Sequence, residues 1–208
     1  MPGYFVHIAS APQDLRSSAL GLKGLIAPDL WKKHTPTESE YFQFFTKCSD
    51  APSYEQIKFL CSAEHGGTHF GSKLSDTNHA DFAFISNLLT NGQLDADNLF
   101  FKGYIHHLRV DKNFYADISV FNKEAYEKDS AIDKEVAIED LHFDWDKTNF
   151  AISNWYPEIV DLISSMPEEV QKVIGFAKGD TKYVTLDSMR HFIENMRESR
   201  SIEELLNS

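Results

Sequence analysis

The feature that most constrains the fold is the run from Asp97 to Val120, which has no proline and a single glycine, Gly103. Phe100, Tyr104, Leu108 and Phe114/Tyr115 recur at helical rather than strand spacing, which predicts one long helix. Its apolar content is too continuous for a helix with one wet side, so it is expected to be buried at the centre of the fold. His107 and Asp111 lie four apart and leave the same face one turn apart. Gly103 sits one turn earlier, where a missing side chain lets another backbone or a ligand come close. A His and an Asp stacked this way can grip a divalent cation together. The alternative is a helical His–Asp hydrogen bond.

The remaining elements also read as helices. Ser10-Ala11-Pro12-Gln13 has a capping-box pattern with Ser10 as N-cap, predicting a helix to Lys23 that stops at Gly24. Pro28 should hold its predecessor extended and put Asp29 at a helix boundary, where an N-cap aspartate is the plain reading. Thr35-Pro36-Thr37-Glu38 opens a helix through Phe44 and Phe45 to Lys47, and Ser53 caps another to Ala63. Further helices are expected over Asn78–Leu89, over Tyr156–Ile163, and from the Ser165-Met166-Pro167-Glu168 box to Phe176. Asp187–Arg197 carries an apolar stripe of Met189, Phe192, Ile193 and Met196. Strand-like alternation is confined to Lys182–Thr185. The expectation is all-α, a single helical domain over residues 1–208 around the long central helix.

Glu64-His65-Gly66-Gly67-Thr68-His69-Phe70-Gly71 reads as a loop, and loops carry function more often than core elements do. A loop histidine is ordinarily just solvated. His34, His79 and His191 read as surface residues, and His106 projects about 100° away from His107. His142 and Asp146 repeat the four-residue spacing. A net charge of −12 argues against a stable complex with DNA or RNA held along its phosphates. It leaves room for a small anionic substrate if a metal supplies local positive charge. Cys48 and Cys61 are too few for a disulfide framework and read as core residues. No apolar run reaches transmembrane length, and the start MPGYFVHIASAPQD lacks the pattern of a secretory signal, so a cytoplasmic location is expected.

The order His7, Asp29, His69, His107, Asp111, set in GLIAPDLW, THF and GYIHHLRVD, resembles the zinc-dependent phospholipase C family in its small bacterial hydrolase branch. That family is all-helical and is related in fold to the single-strand-specific zinc nucleases. The resemblance covers about residues 1 to 120 and implies metal ligands at His7, Asp29, His69, His107 and Asp111. Asp29, His69, His107 and Asp111 would hold one Zn2+, and Asp111 would bridge to a second held also by His7. A third ion would fall to His142 and Asp146. The implied activity is that of a phosphoesterase, in which metal-bound hydroxide attacks a phosphate ester and Asp29 is a candidate base. The leading tryptophan and free amine used by secreted members are missing from Met1-Pro2-Gly3. Two other readings follow from the same residues. One is a nuclease or 3′-nucleotidase, with Trp31, Tyr104 and Trp145 available to stack a base. The other is a non-catalytic metal-binding helical domain.

Overall fold

A computed structural model describes residues 3–62, 67–69, 82–95, 97–116, 147–166, 168, 171, 178–182, 184–198 and 204. Every regular element among them is a helix. In chain order these are α1 (Tyr4–Ser10), α2 (Gln13–Arg16), α3 (Ala19–Leu30), α4 (Glu38–Phe44), α5 (Tyr54–Leu60), α6 (Phe82–Thr90) and α7 (Leu99–Ala116). Helical residues 147–155 follow, then α8 (Glu158–Ser164) and α9 (Leu186–Met196). No strand occurs among the described residues, so the alternation at Lys182–Thr185 builds none there. None of the described helices is long and apolar enough to cross a membrane.

The chain divides into two compact units, one from residues 1–10 and 113–197, the other from residues 11–112 and 198–208. In the first, α1 packs against α8 and α9. Phe114 meets the edge of Phe192 at 5.7 Å between ring centroids. Arg197 donates from Nε to the Ala9 carbonyl at 2.7 Å while its guanidinium lies 4.1 Å from the Tyr156 ring centre. The predicted helix start at Ser10 is corrected here: Ser10 is the last residue of α1. All seven residues of α1 are buried, and the Ser10 hydroxyl donates to the His7 carbonyl, 3.2 Å away. Burial outweighs the local cap signal.

The second unit is built where α3 and α7 cross. A Cβ on Gly103 would overlap the Gly21 carbonyl oxygen and come within 3.0 Å of the Leu25 nitrogen. One on Gly24 would overlap the Phe100 carbonyl. The two backbones therefore touch, which only glycines allow. This corrects a second expectation, since α3 does not stop at Gly24 but begins at the Ser18 cap and runs through Pro28 to Leu30. Glycine inside a helix costs about 0.8–1.0 kcal/mol relative to alanine. Leu25, Ile26 and Ala27, all fully buried, offset that cost. Pro28 lies in the last turns, where the helix is about to end anyway, so Asp29 is a helical residue and not an N-cap.

The other caps are local and follow from the sequence more closely. Ser53 and Gln56 form the reciprocal box that opens α5. For α4 the box is Thr37 with Glu40, two residues later than predicted, and the Thr35 hydroxyl donates to the Cys61 carbonyl. Gly92 ends the α6 region with φ of 66°. As expected, α7 is buried nearly all round as far as Phe114 (Phe100, Tyr104, Leu108 and Phe114, but also His106, His107, Arg109 and Asp111), and the predicted continuation to Val120 lies outside the described residues.

Candidate metal centre

Four of the residues singled out in the sequence meet in the second unit. His107 and Asp111 stand one turn apart on α7, Asp29 lies in the last turn of α3, and His69 sits in the turn at residues 67–69. Far from being solvated, His69 is 5% exposed and the neighbouring Thr68 is 3% exposed. His69 Nε2 is 3.3 Å from Asp111 Oδ2 and 3.5 Å from Asp29 Oδ1. His107 Nε2 is 3.6 Å from Asp111 Oδ2 and 3.9 Å from Asp29 Oδ2. The ligand atoms of Asp29, His69 and His107 all lie within 4.8 Å of one another.

These separations bear on both readings of a His–Asp pair, the hydrogen bond and the shared cation. A good N–H···O hydrogen bond spans about 2.7–3.2 Å, shorter than any of the four. Ligands at about 2.0–2.2 Å from a tetrahedral zinc stand roughly 3.3–3.6 Å apart along each edge. Three of the four His–Asp separations fall in that range and the fourth is slightly longer. The donor set also suits the ion, since two carboxylates offset the charge of a dication and imidazole nitrogens are ordinary zinc ligands.

The ring orientations are set from outside the cluster. His107 Nδ1 lies 2.7 Å from the Leu25 carbonyl oxygen, which can only accept, so Nδ1 carries the proton. When that ring is neutral, its Nε2 lone pair faces the carboxylates. The α3–α7 glycine contact is what brings Leu25 within reach. His69 Nδ1 is 3.0 Å from the Thr68 hydroxyl, and that hydroxyl is 2.7 Å from the Pro28 carbonyl. Burial opposes protonation of His69, but the Asp111 and Asp29 carboxylates outweigh it and raise its pKa above the ordinary value of 6.5.

His7 belongs to the first unit, fully buried in α1. His142 and Asp146 lie outside the described residues, as do His65, His79 and Trp145. His34 and His191 are exposed, as expected. Trp31 is 4% exposed and packed edge-on against Phe44 at 4.9 Å, and Tyr104 is 2% exposed, so neither offers a ring face to a nucleobase. Sequence reasoning did not pick out Leu25 and Thr68 as partners of the histidines, or Pro28 as the partner of Thr68. Two of these contacts run through backbone carbonyls, which carry no residue-type signature. No family model, curated protein or solved structure matches the chain.

Proposed function

We propose that Asp29, His69, His107 and Asp111 hold zinc and that the chain is a zinc-dependent phosphoric ester hydrolase of phospholipase C type, acting on a small phosphate ester. The observation that carries this reading is the donor set: two imidazole Nε2 atoms, each 3.3–3.9 Å from two carboxylates. Zinc at such a centre supplies Lewis acidity toward a phosphoryl oxygen and lowers the pKa of water toward about 7. The chain's own residues divide the remaining work. His107 and Asp111 are placed by one rigid helix and are 0% and 1% exposed at their side chains, which keeps bulk water from competing for them. Asp29 is the most exposed of the four, at 16% of its side chain. That exposure supports assigning Asp29 the role of general base, accepting a proton at the solvent edge. The sequence resemblance adds a second ion, with His7 as a ligand.

Protein purified without a histidine tag tests the reading through elemental analysis and hydrolysis of bis(p-nitrophenyl) phosphate, p-nitrophenyl phosphate and single-stranded DNA. The expected result is bound zinc and diester or monoester hydrolysis that a chelator abolishes and zinc restores. Preferential cleavage of single-stranded DNA would move the assignment to the nuclease reading. Stoichiometric zinc with no hydrolysis would leave a non-catalytic metal-binding domain, and absence of metal under zinc-replete growth would overturn the proposal. His7→Ala should lower the zinc content of the protein if His7 is a ligand.

A further inference from the structure

Three hydrogen bonds meet at Thr68, and each partner is a residue of the metal centre or lies within one helical turn of one. The Thr68 hydroxyl donates to the Pro28 carbonyl at 2.7 Å, and Pro28 immediately precedes Asp29. The same hydroxyl oxygen faces His69 Nδ1 at 3.0 Å. The Thr68 carbonyl accepts from the Tyr104 hydroxyl, on α7 one turn before His107. Thr68 and Tyr104 are 3% and 2% exposed, so water does not readily substitute for these partners. A threonine hydroxyl has one hydrogen, and here it is committed to a carbonyl that can only accept. Toward His69 the oxygen can therefore only accept, and Nδ1 must carry the proton. The neutral ring is then held with the Nε2 lone pair toward Asp29 and Asp111.

We infer that Thr68 is a positioning residue that sets the tautomer and orientation of His69 and keys that turn to both α3 and α7. This rests on the reading of the four residues as a metal centre, but the tautomer itself is a property of the metal-free chain. Partners that orient a ligating histidine typically matter by about 10–100-fold in metal affinity. Threonine does so here by relaying the constraint from the Pro28 carbonyl, so that the turn bearing His69 is registered against the end of α3 that bears Asp29. Valine at this position keeps the shape of threonine and removes the relay. Serine keeps the relay and removes a methyl group.

The test compares Thr68→Val, Thr68→Ser and wild type in two measurements. The first is long-range 1H–15N NMR of the histidine rings in metal-free protein, at a pH above the His69 transition that the same spectra record. Wild type and Thr68→Ser should show the Nδ1–H form of His69, and Thr68→Val should gain the Nε2–H form. The second is zinc affinity by competition with a chromophoric chelator, expected to fall about 10–100-fold in Thr68→Val and to return in Thr68→Ser. If Thr68→Val fails to fold, Thr68→Ala against Thr68→Ser gives the same comparison. An unchanged Nδ1–H form and zinc affinity in the hydroxyl-free variant would overturn the inference, as would Thr68→Ser behaving like Thr68→Val. A tautomer change in a protein whose wild type binds no zinc would leave the positioning role standing and remove the metal reading.

Discussion

Helices α7 and α9 each carry a histidine with a polar partner four residues on, and the two pairs have opposite characters. In α9, exposed His191 Nε2 lies 3.0 Å from the Asn195 side-chain nitrogen, an ordinary hydrogen-bond distance. That helix buries only the stripe Met189, Phe192, Ile193 and Met196 and leaves the rest exposed, apart from the half-buried Ser188. In α7, His107 and Asp111 are buried, 3.6 Å apart, and each also faces a residue from elsewhere in the chain. An amphipathic helix puts its polar residues where water satisfies them. A helix buried all round cannot, so each polar group in it needs a specific partner. The same spacing is a surface pair in one helix and part of a buried His/Asp cluster that could hold a metal ion in the other.

The largest break in that contrast should come from Asp111→Asn. It keeps the size of the side chain but removes charge facing both His69 and His107, so most bound metal and any phosphoesterase activity should be lost. Loss of affinity should exceed the roughly 100-fold typical of outer partners. Zinc at about 100 times its Kd stabilises a folded protein by roughly 2.7 kcal/mol, so the rise in Tm on adding zinc should also vanish. His191→Ala should keep both the metal and that rise. Elemental analysis and thermal melts of the two variants decide whether the pairs differ as described.

Gly103→Ala should come next. Helix propensity alone would favour alanine by about 0.8–1.0 kcal/mol. Against it stands overlap with the Gly21 carbonyl, a backbone atom that cannot swing aside. The net expectation is a loss of about 1–3 kcal/mol in urea melts, as for other overpacked sites, together with weaker zinc binding as Leu25 shifts away from His107. Glu194→Ala, on the exposed side of α9, should stay within about 0.5 kcal/mol of wild type. Equal effects at the two positions would mean that the α3–α7 contact does not organise the site.

A pH titration sharpens the contrast further. The folded-state pKa of His69 is raised, so its protonated form contributes stability to the metal-free protein that is fully present below about 6.5. That contribution is lost as pH rises through the raised folded value. The zinc-loaded protein should behave oppositely over the same window, because the ion must displace this proton and binds better as pH rises. Chemical melts across that range should show the decline in metal-free wild type and not in His69→Gln, while His191→Ala keeps the wild-type profile.

The smallest effect concerns the cysteines, where burial again separates two residues of one type. Burial pushes the Cys61 thiol up to about 12, while Cys48 is half-buried. A thiol reagent at mild alkaline pH should modify Cys48 in the native protein and reach Cys61 only on unfolding. Rapid native modification of both would show that the α5 end opens readily.

What the sequence determined by itself is what spacing along a chain can encode. Helical periodicity identified α7 and placed His107 and Asp111 on one face, because that relation depends only on the helical turn. The Ser53 cap and the apolar stripe of α9 are local in the same sense. The sequence also marked Gly103 as a place of close approach, without saying what approaches. The tertiary structure decided the rest: α3 runs through Gly24 and Pro28, and Ser10 closes a helix instead of opening one. It also brought Leu25 to His107 across 82 positions and Pro28 to Thr68 across 40. Those outcomes depend on which surfaces are buried against which. At Gly21, Gly24 and Gly103 the fit of two backbones outweighs the helix-breaking tendency that glycine and proline show locally, and that fit places the end of α3 beside the histidines.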